Sequence, residues 1–125
     1  MFDHITITVS DFQQSKAFYE ACLAPFGYRS LFGEDGVYAG FGSTRPQFWI
    51  SQRDDTHPTV TKTHIAFSCS TRELVDAFYT AAIAAGGKDN GKPGLRPEYH
   101  ENYYGAFVID PDGNNIEAVN GNEKT

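Results

Sequence analysis

Asp3-His4-Ile5-Thr6-Ile7-Thr8-Val9 near the start of the chain and Thr63-His64-Ile65-Ala66-Phe67-Ser68-Cys69 near its middle decide the fold. Each opens on His-Ile and alternates apolar with polar or small residues, the period-2 signature of a half-buried strand. They stand one offset apart, 64 − 4 = 60. Ala17-Phe18-Tyr19 recurs as Ala77-Phe78-Tyr79 and Gly27 as Gly87, with 77 − 17 and 87 − 27 again 60. Further on, Val37-Tyr38-Ala39-Gly40-Phe41 resembles Tyr103-Tyr104-Gly105-Ala106-Phe107, with 103 − 37 = 66, so the second copy is expected to carry extra loop within residues 89–94. Matches in order at a constant offset indicate an internal duplication.

Each copy has the same grammar. After the first strand, Ser10-Asp11 offers N-cap chemistry, and residues 12–23 place Phe12, Ser15, Phe18, Tyr19 and Cys22 on one helical face. Pro25 and Gly27 end that helix, and residues 28–33, 36–41 and 47–52 read as short strands between Gly, Asp and Pro turns. In the second copy, Ser70-Thr71 caps a helix over 72–85 and Gly86-Gly87 stops it. Strands follow at 89–90, 103–110 and 115–119, with Asp110-Pro111-Asp112-Gly113-Asn114 as a tight turn between the last two. The chain therefore reads as α+β, two βαβββ modules over about 1–55 and 60–121 joined by residues 53–61. Its 125 residues allow a single domain over 1–125.

Composition narrows the function. Ten Lys and Arg against sixteen Asp and Glu leave a net charge of −6, without the basic footprint that nucleic-acid backbones require. No apolar run is long enough for a membrane span, and the N-terminus does not read as a signal peptide. Cys22 and Cys69, the only cysteines and not in a CxxC pair, are expected reduced and buried in a cytoplasmic protein. Aromatic residues at 14% suit a packed core or an aromatic-lined pocket.

Strand alternation nominates a site. If Ile5, Ile7 and Val9 pack under a helix, His4, Thr6 and Thr8 take the other face. By the same rule His64, Ala66 and Ser68 oppose Ile65, Phe67 and Cys69, and Glu117 opposes Ile116 and Ala118. A pseudo-twofold relation between the copies would bring His4 and His64 together near its axis. Two imidazoles and a carboxylate suit a divalent transition metal with positions left open; the alternative is that these are strand-face residues satisfied by water or neighbours. The stretch 96–104 adds Arg96 and Tyr99 as substrate contacts, His100 as a general base, and Tyr103 and Tyr104 as donors to a substrate oxygen, the alternative being a loop and strand edge whose aromatics pack. Arg96 is suited to a substrate carboxylate, the alternative being an ordinary solvated loop arginine, and Trp49 is either pocket wall or core.

Phe2-Asp3-His4-Ile5, Thr63-His64-Ile65-Ala66-Phe67 and Asp110-Pro111-Asp112-Gly113-Asn114-Asn115-Ile116-Glu117 resemble the vicinal oxygen chelate superfamily, which includes glyoxalases, bleomycin-resistance proteins and ring-cleaving dioxygenases. The resemblance covers nearly the whole chain, and its last segment is the most specific. It implies paired modules in a curved, partly open barrel-like sheet around a cleft, with helices on the outer face. It also implies His4, His64 and Glu117 as ligands of a divalent metal (Fe, Mn, Ni or Zn), a small-molecule substrate and a homodimer. One departure stands out: Trp49, matched to Glu117 at offset 68, occupies the place where glyoxalase I-type members carry a fourth, acidic ligand. The expected function is a metal-dependent lyase/isomerase or dioxygenase acting on an oxygen-chelating substrate. The alternative is a non-catalytic small-molecule binder of the bleomycin-resistance type.

Overall fold

A computed structural model describes residues 1–124. Its order is β1 (Ile5–Val9), α1 (Phe12–Leu23), a 3-10 turn (Ala24–Phe26), β2 (Arg29–Glu34), β3 (Tyr38–Gly42), β4 (Phe48–Gln52), β5 (His64–Ser68), α2 (Arg72–Ala84), β6 (Lys88–Leu95), β7 (Tyr104–Ile109) and β8 (Asn115–Asn120). The duplicated α+β plan is thus realised as two four-stranded sheets, β1-β4-β3-β2 and β5-β8-β7-β6, which do not close into a barrel. In each, the first and last strands of the module pair in parallel and the others antiparallel. No helix among the described residues is long and apolar enough to cross a membrane.

Local chemistry sets the element ends. The Asp11 carboxylate accepts from Gln14 N at 3.1 Å and the Thr71 hydroxyl from Leu74 N at 3.2 Å. Each such cap stabilises its helix by about 1 kcal/mol. Gly27, at φ +79°, turns the chain out of the 3-10 turn in a conformation closed to most side chains. The expected stripe of α1, Phe12 to Cys22, is buried as a whole.

One continuous core joins the modules. Phe26 stacks on Phe78 with ring centroids 5.7 Å apart, and Phe48 meets Phe67 edge-on at 5.4 Å. A Cβ on Gly87 would lie 2.9 Å from Phe18, so glycine there lets the helices approach. The turn at 110–114 adds a polar clasp. Asp110 accepts from Asp112 N at 2.9 Å and Asn114 N at 2.8 Å within the turn, and from the buried Tyr19 hydroxyl of α1. Asp112 accepts from Ser10 N at 3.1 Å and from the Ser10 hydroxyl. The motif that reads as a tight turn is therefore also the joint between the halves.

Two expectations are corrected. The register Gly40↔Trp49 in the first sheet corresponds to Phe107↔Glu117 in the second, so the offset at β3 and β7 is 107 − 40 = 67, not 66. Residue likeness misplaced the match by one position, and in a strand one position exchanges the faces. Residues 89–94 are strand β6 rather than loop, kinked by register shifts at Asp89/Gly91 and Gly91/Gly94. Bulging absorbs part of the extra length, and the rest forms the connection 96–103, against 35–37 in the first module.

Candidate functional site

On the face of the second sheet opposite Ile65, Ile116 and Ala118, ladder pairing aligns Ala66, Glu117, Phe107 and Gly91 in one row. His64 pairs with Asn115 in the row beside it. Glu117 is 1% exposed, although carboxylates are almost never fully buried without partners. Both of its oxygens are occupied. Oε1 lies 2.7 Å from Nε2 of the half-exposed His64, and Oε2 accepts from the Tyr103 hydroxyl. Burial, then the bond to Glu117 and its charge, push the Tyr103 hydroxyl well above the ordinary phenol range. It therefore stays a donor at neutral pH and fixes the carboxylate from behind. Asn115, two residues before Glu117 on the same face, buries its Oδ1 without a partner.

The donor types suit a divalent metal. Cis nitrogen and oxygen ligands of one ion stand about 3 Å apart when each bond is near 2.1 Å, close to the 2.7 Å between His64 and Glu117. An outer hydroxyl on the second carboxylate oxygen is the customary support for such a ligand. Among the described residues, however, no three His, Cys, Asp or Glu side chains come together to hold an ion.

His4 stands apart from the pair: its Nδ1 bonds Asp3 Oδ1 at 2.8 Å, and Asp3 is in turn paired with Arg45 at 3.2 Å. The His4 bond, then Arg45, lower the Asp3 carboxyl below the usual range. His4 borders an open cavity of about 430 Å³ with Phe2, Tyr28, Phe41, Phe48 and Phe67, which neither His64 nor Glu117 lines.

The other expected site residues divide. Tyr103 joins the pair, as a bond to Glu117. His100 packs its ring 5.3 Å from that of Tyr103, with Nδ1 accepting from Asn102 N at 3.2 Å, and the exposed Tyr99 covers the same ring at 4.9 Å. Tyr104 alternates to the other face: its hydroxyl donates to Asp76 of α2 at 2.7 Å, and Arg72 lies over its ring. Arg96 sits over Phe107, with 5.3 Å from guanidinium to ring centroid. Trp49 pairs with Thr6 as Glu117 pairs with Ala66, so the two hold equivalent places. Its ring clusters with Phe32 at 6.2 Å and Tyr38 at 6.1 Å. Phe107 and Asn115 are not among the expected site residues; strand alternation about Glu117 could have marked Asn115, whereas only pairing register marks Phe107.

Residues 1–118 match the family model described as the Glyoxalase/Bleomycin resistance protein/Dioxygenase superfamily. The chain is similar to a solved glyoxalase/bleomycin resistance protein from Albidiferax ferrireducens at 30% identity and TM-score 0.83, over 96% of this chain and 98% of that one. It shares its fold with a family enzyme from Burkholderia phytofirmans at 20% identity and TM-score 0.74, covering 95% and 97% of the two chains. A lactoylglutathione lyase from Agrobacterium tumefaciens matches at 21% identity and TM-score 0.69, over 97% and 93%. No functionally curated protein matches the chain.

Proposed function

Since this chain belongs to the glyoxalase/bleomycin resistance protein/dioxygenase superfamily, we propose that it is a divalent-metal-dependent cytoplasmic enzyme. Its substrate is a small molecule with two neighbouring oxygens, and its reaction is of lyase/isomerase or dioxygenase type. The observation that carries the reading is the buried Glu117 carboxylate, bonded to His64 on one oxygen and to a Tyr103 hydroxyl on the other. His64 and Glu117 would hold the ion, with His4 as the third ligand. Among the described residues no third His, Cys, Asp or Glu joins the pair, so His4 would come from a second copy in a homodimer. Fe, Mn, Ni and Zn are the candidate ions.

When bound, the ion would supply a Lewis acid to the substrate's two oxygens. The chain's own residues do the rest. Tyr103 keeps Glu117 oriented by donating to Oε2. The Asn115 Oδ1, buried and unpartnered, can accept from a substrate hydroxyl. His100, next to Tyr103, is the candidate to take a proton. With Trp49 where related enzymes carry an acid, that task has no carboxylate from the first module.

The test is calorimetric titration of chelator-treated, tag-free protein with Zn, Ni, Mn and Fe(II). Glu117→Gln is expected to weaken binding by more than about 100-fold and Tyr103→Phe by about 10-fold. Mixing unfolded His4→Ala and Glu117→Gln chains and refolding them together should restore sites that neither variant forms alone. Wild-type protein that binds none of the four ions would leave the second reading, a metal-free binder of an aromatic ligand. The Phe32, Tyr38 and Trp49 cluster favours that reading.

A further inference from the structure

Arg96 packs over Phe107, whose strand position pairs with Glu117. Its guanidinium bonds only backbone carbonyls: Nη1 to Gly94 O at 2.9 Å and Leu95 O at 3.4 Å, and Nη2 to Lys92 O at 2.7 Å. Among the described residues no Asp or Glu forms an ion pair with it, in a chain with an acidic excess of six. Carbonyl dipoles orient the guanidinium but do not cancel its charge. Three of its five N–H donors are used, and two remain.

The fold also places this charge. Gly91, Phe107 and Glu117 share one row of the sheet. A Cβ on Gly91 would fall 3.1 Å from Arg96 Nη2 and 2.9 Å from Phe107 Cδ1, so the missing side chain leaves the seat the guanidinium occupies. Arg96 lies over one side of the Phe107 ring, and the His64 ring stands 6.2 Å from the same ring. Adjacent strands are about 4.8 Å apart, so the backbone of Gly91, two strands from Glu117, stands roughly 10 Å from it along the row. A molecule held at His64 and Glu117 would reach Arg96 with its far end after crossing Phe107.

We propose that Arg96 anchors a carboxylate on the substrate, which makes the substrate class an organic anion whose two chelating oxygens and carboxylate lie one ring's width apart. A planar guanidinium with free N–H groups matches a carboxylate in shape as well as charge. The proposal rests on the reading of His64 and Glu117 as the substrate-holding centre, but its test does not require a metal.

Benzoate and its neutral isostere benzamide serve as probes, titrated into chelator-treated ¹⁵N-labelled protein and followed by amide and Arg Nε–H shifts. Wild type is expected to bind benzoate saturably, with shifts at Arg96, Gly91 and Phe107, and to prefer it to benzamide. Arg96→Gln should lower benzoate affinity at least tenfold and remove the preference, whereas Arg96→Lys should keep most of it. Thermal melts confirm that both variants are folded. A purely structural Arg96, stitching the bulged β6, would instead weaken both probes equally. That result, or wild type without benzoate binding, overturns the proposal. Zinc titration of His64→Ala in parallel reports on the metal-centre reading, so either can fail while the other stands.

Discussion

The row Thr6, Trp49, Gly40 in the first sheet and the row Ala66, Glu117, Phe107 in the second are the same three positions filled in opposite ways. In the first module the bulk sits on β4 and its β3 neighbour is a glycine: a Cβ there would lie 2.8 Å from the Trp49 ring and 2.7 Å from Pro46. In the second the bulk sits on β7, and β8 carries a carboxylate buried between His64 and Tyr103. Duplication preserved the room on this face while dividing its use. One copy fills it with aromatic rings, and the other lines it with groups able to bind an ion or a proton.

The largest effect expected from breaking this comparison comes from Trp49→Ala. It removes a half-buried ring that touches Phe32 and Tyr38 and should cost about 2–3 kcal/mol in a denaturant melt. Gly40→Ala alone should cost about 1–3 kcal/mol by overpacking. Added to Trp49→Ala it should cost less than in the wild type, because the ring it strikes is gone. Strict additivity of the two would mean that Trp49 does not set the size of residue 40.

Next comes the pair Tyr19 and Tyr79, equivalent in the two helices. Tyr19 is fully buried and donates to Asp110 across the modules, so Tyr19→Phe should cost about 1.5–3 kcal/mol, the range for a bond to a charged group. Tyr79 is raised by burial and then by Asp89, at the surface of its own module. Tyr79→Phe should leave the melting midpoint unmoved, and equal losses would refute a joint made by the first helix alone.

The smallest effect concerns the thiols, one in each module. Burial pushes Cys22 well above the usual thiol range and Cys69 up to about 11. A disulfide reagent at pH 8 should label neither promptly in the folded protein, and Cys69 should react ahead of the more deeply buried Cys22. Rapid labelling of Cys22 would show that α1 opens locally.

The duplication was legible because strand alternation and helix stripes are local: the buried face of α1 can be listed from residue spacing alone. The offset at β3 was misread because Tyr and Gly recur on both faces, and only hydrogen-bond register separates 66 from 67. For the site, alternation put His64 and Glu117 on one face, and the structure joins them at 2.7 Å. It could not show that Tyr103 turns toward Glu117 while its neighbour Tyr104 turns toward Asp76. Nor could it orient His4, whose ring bonds the adjacent Asp3. The second role of the turn at 110–114 was hidden as well, because its partners lie in the other module.

That turn has a kinetic consequence. Tyr19 and Asp110 are 91 residues apart in the chain, and Ser10 and Asp112 are 102 apart. Contacts of such separation bear the full entropy of closing a long loop before they return any stability. During synthesis, the buried hydroxyl of Tyr19 meets its acceptor only after residue 110 has emerged. The first module must wait half-finished for the last hairpin, and refolding of the isolated chain should be limited by this late docking rather than by formation of either sheet.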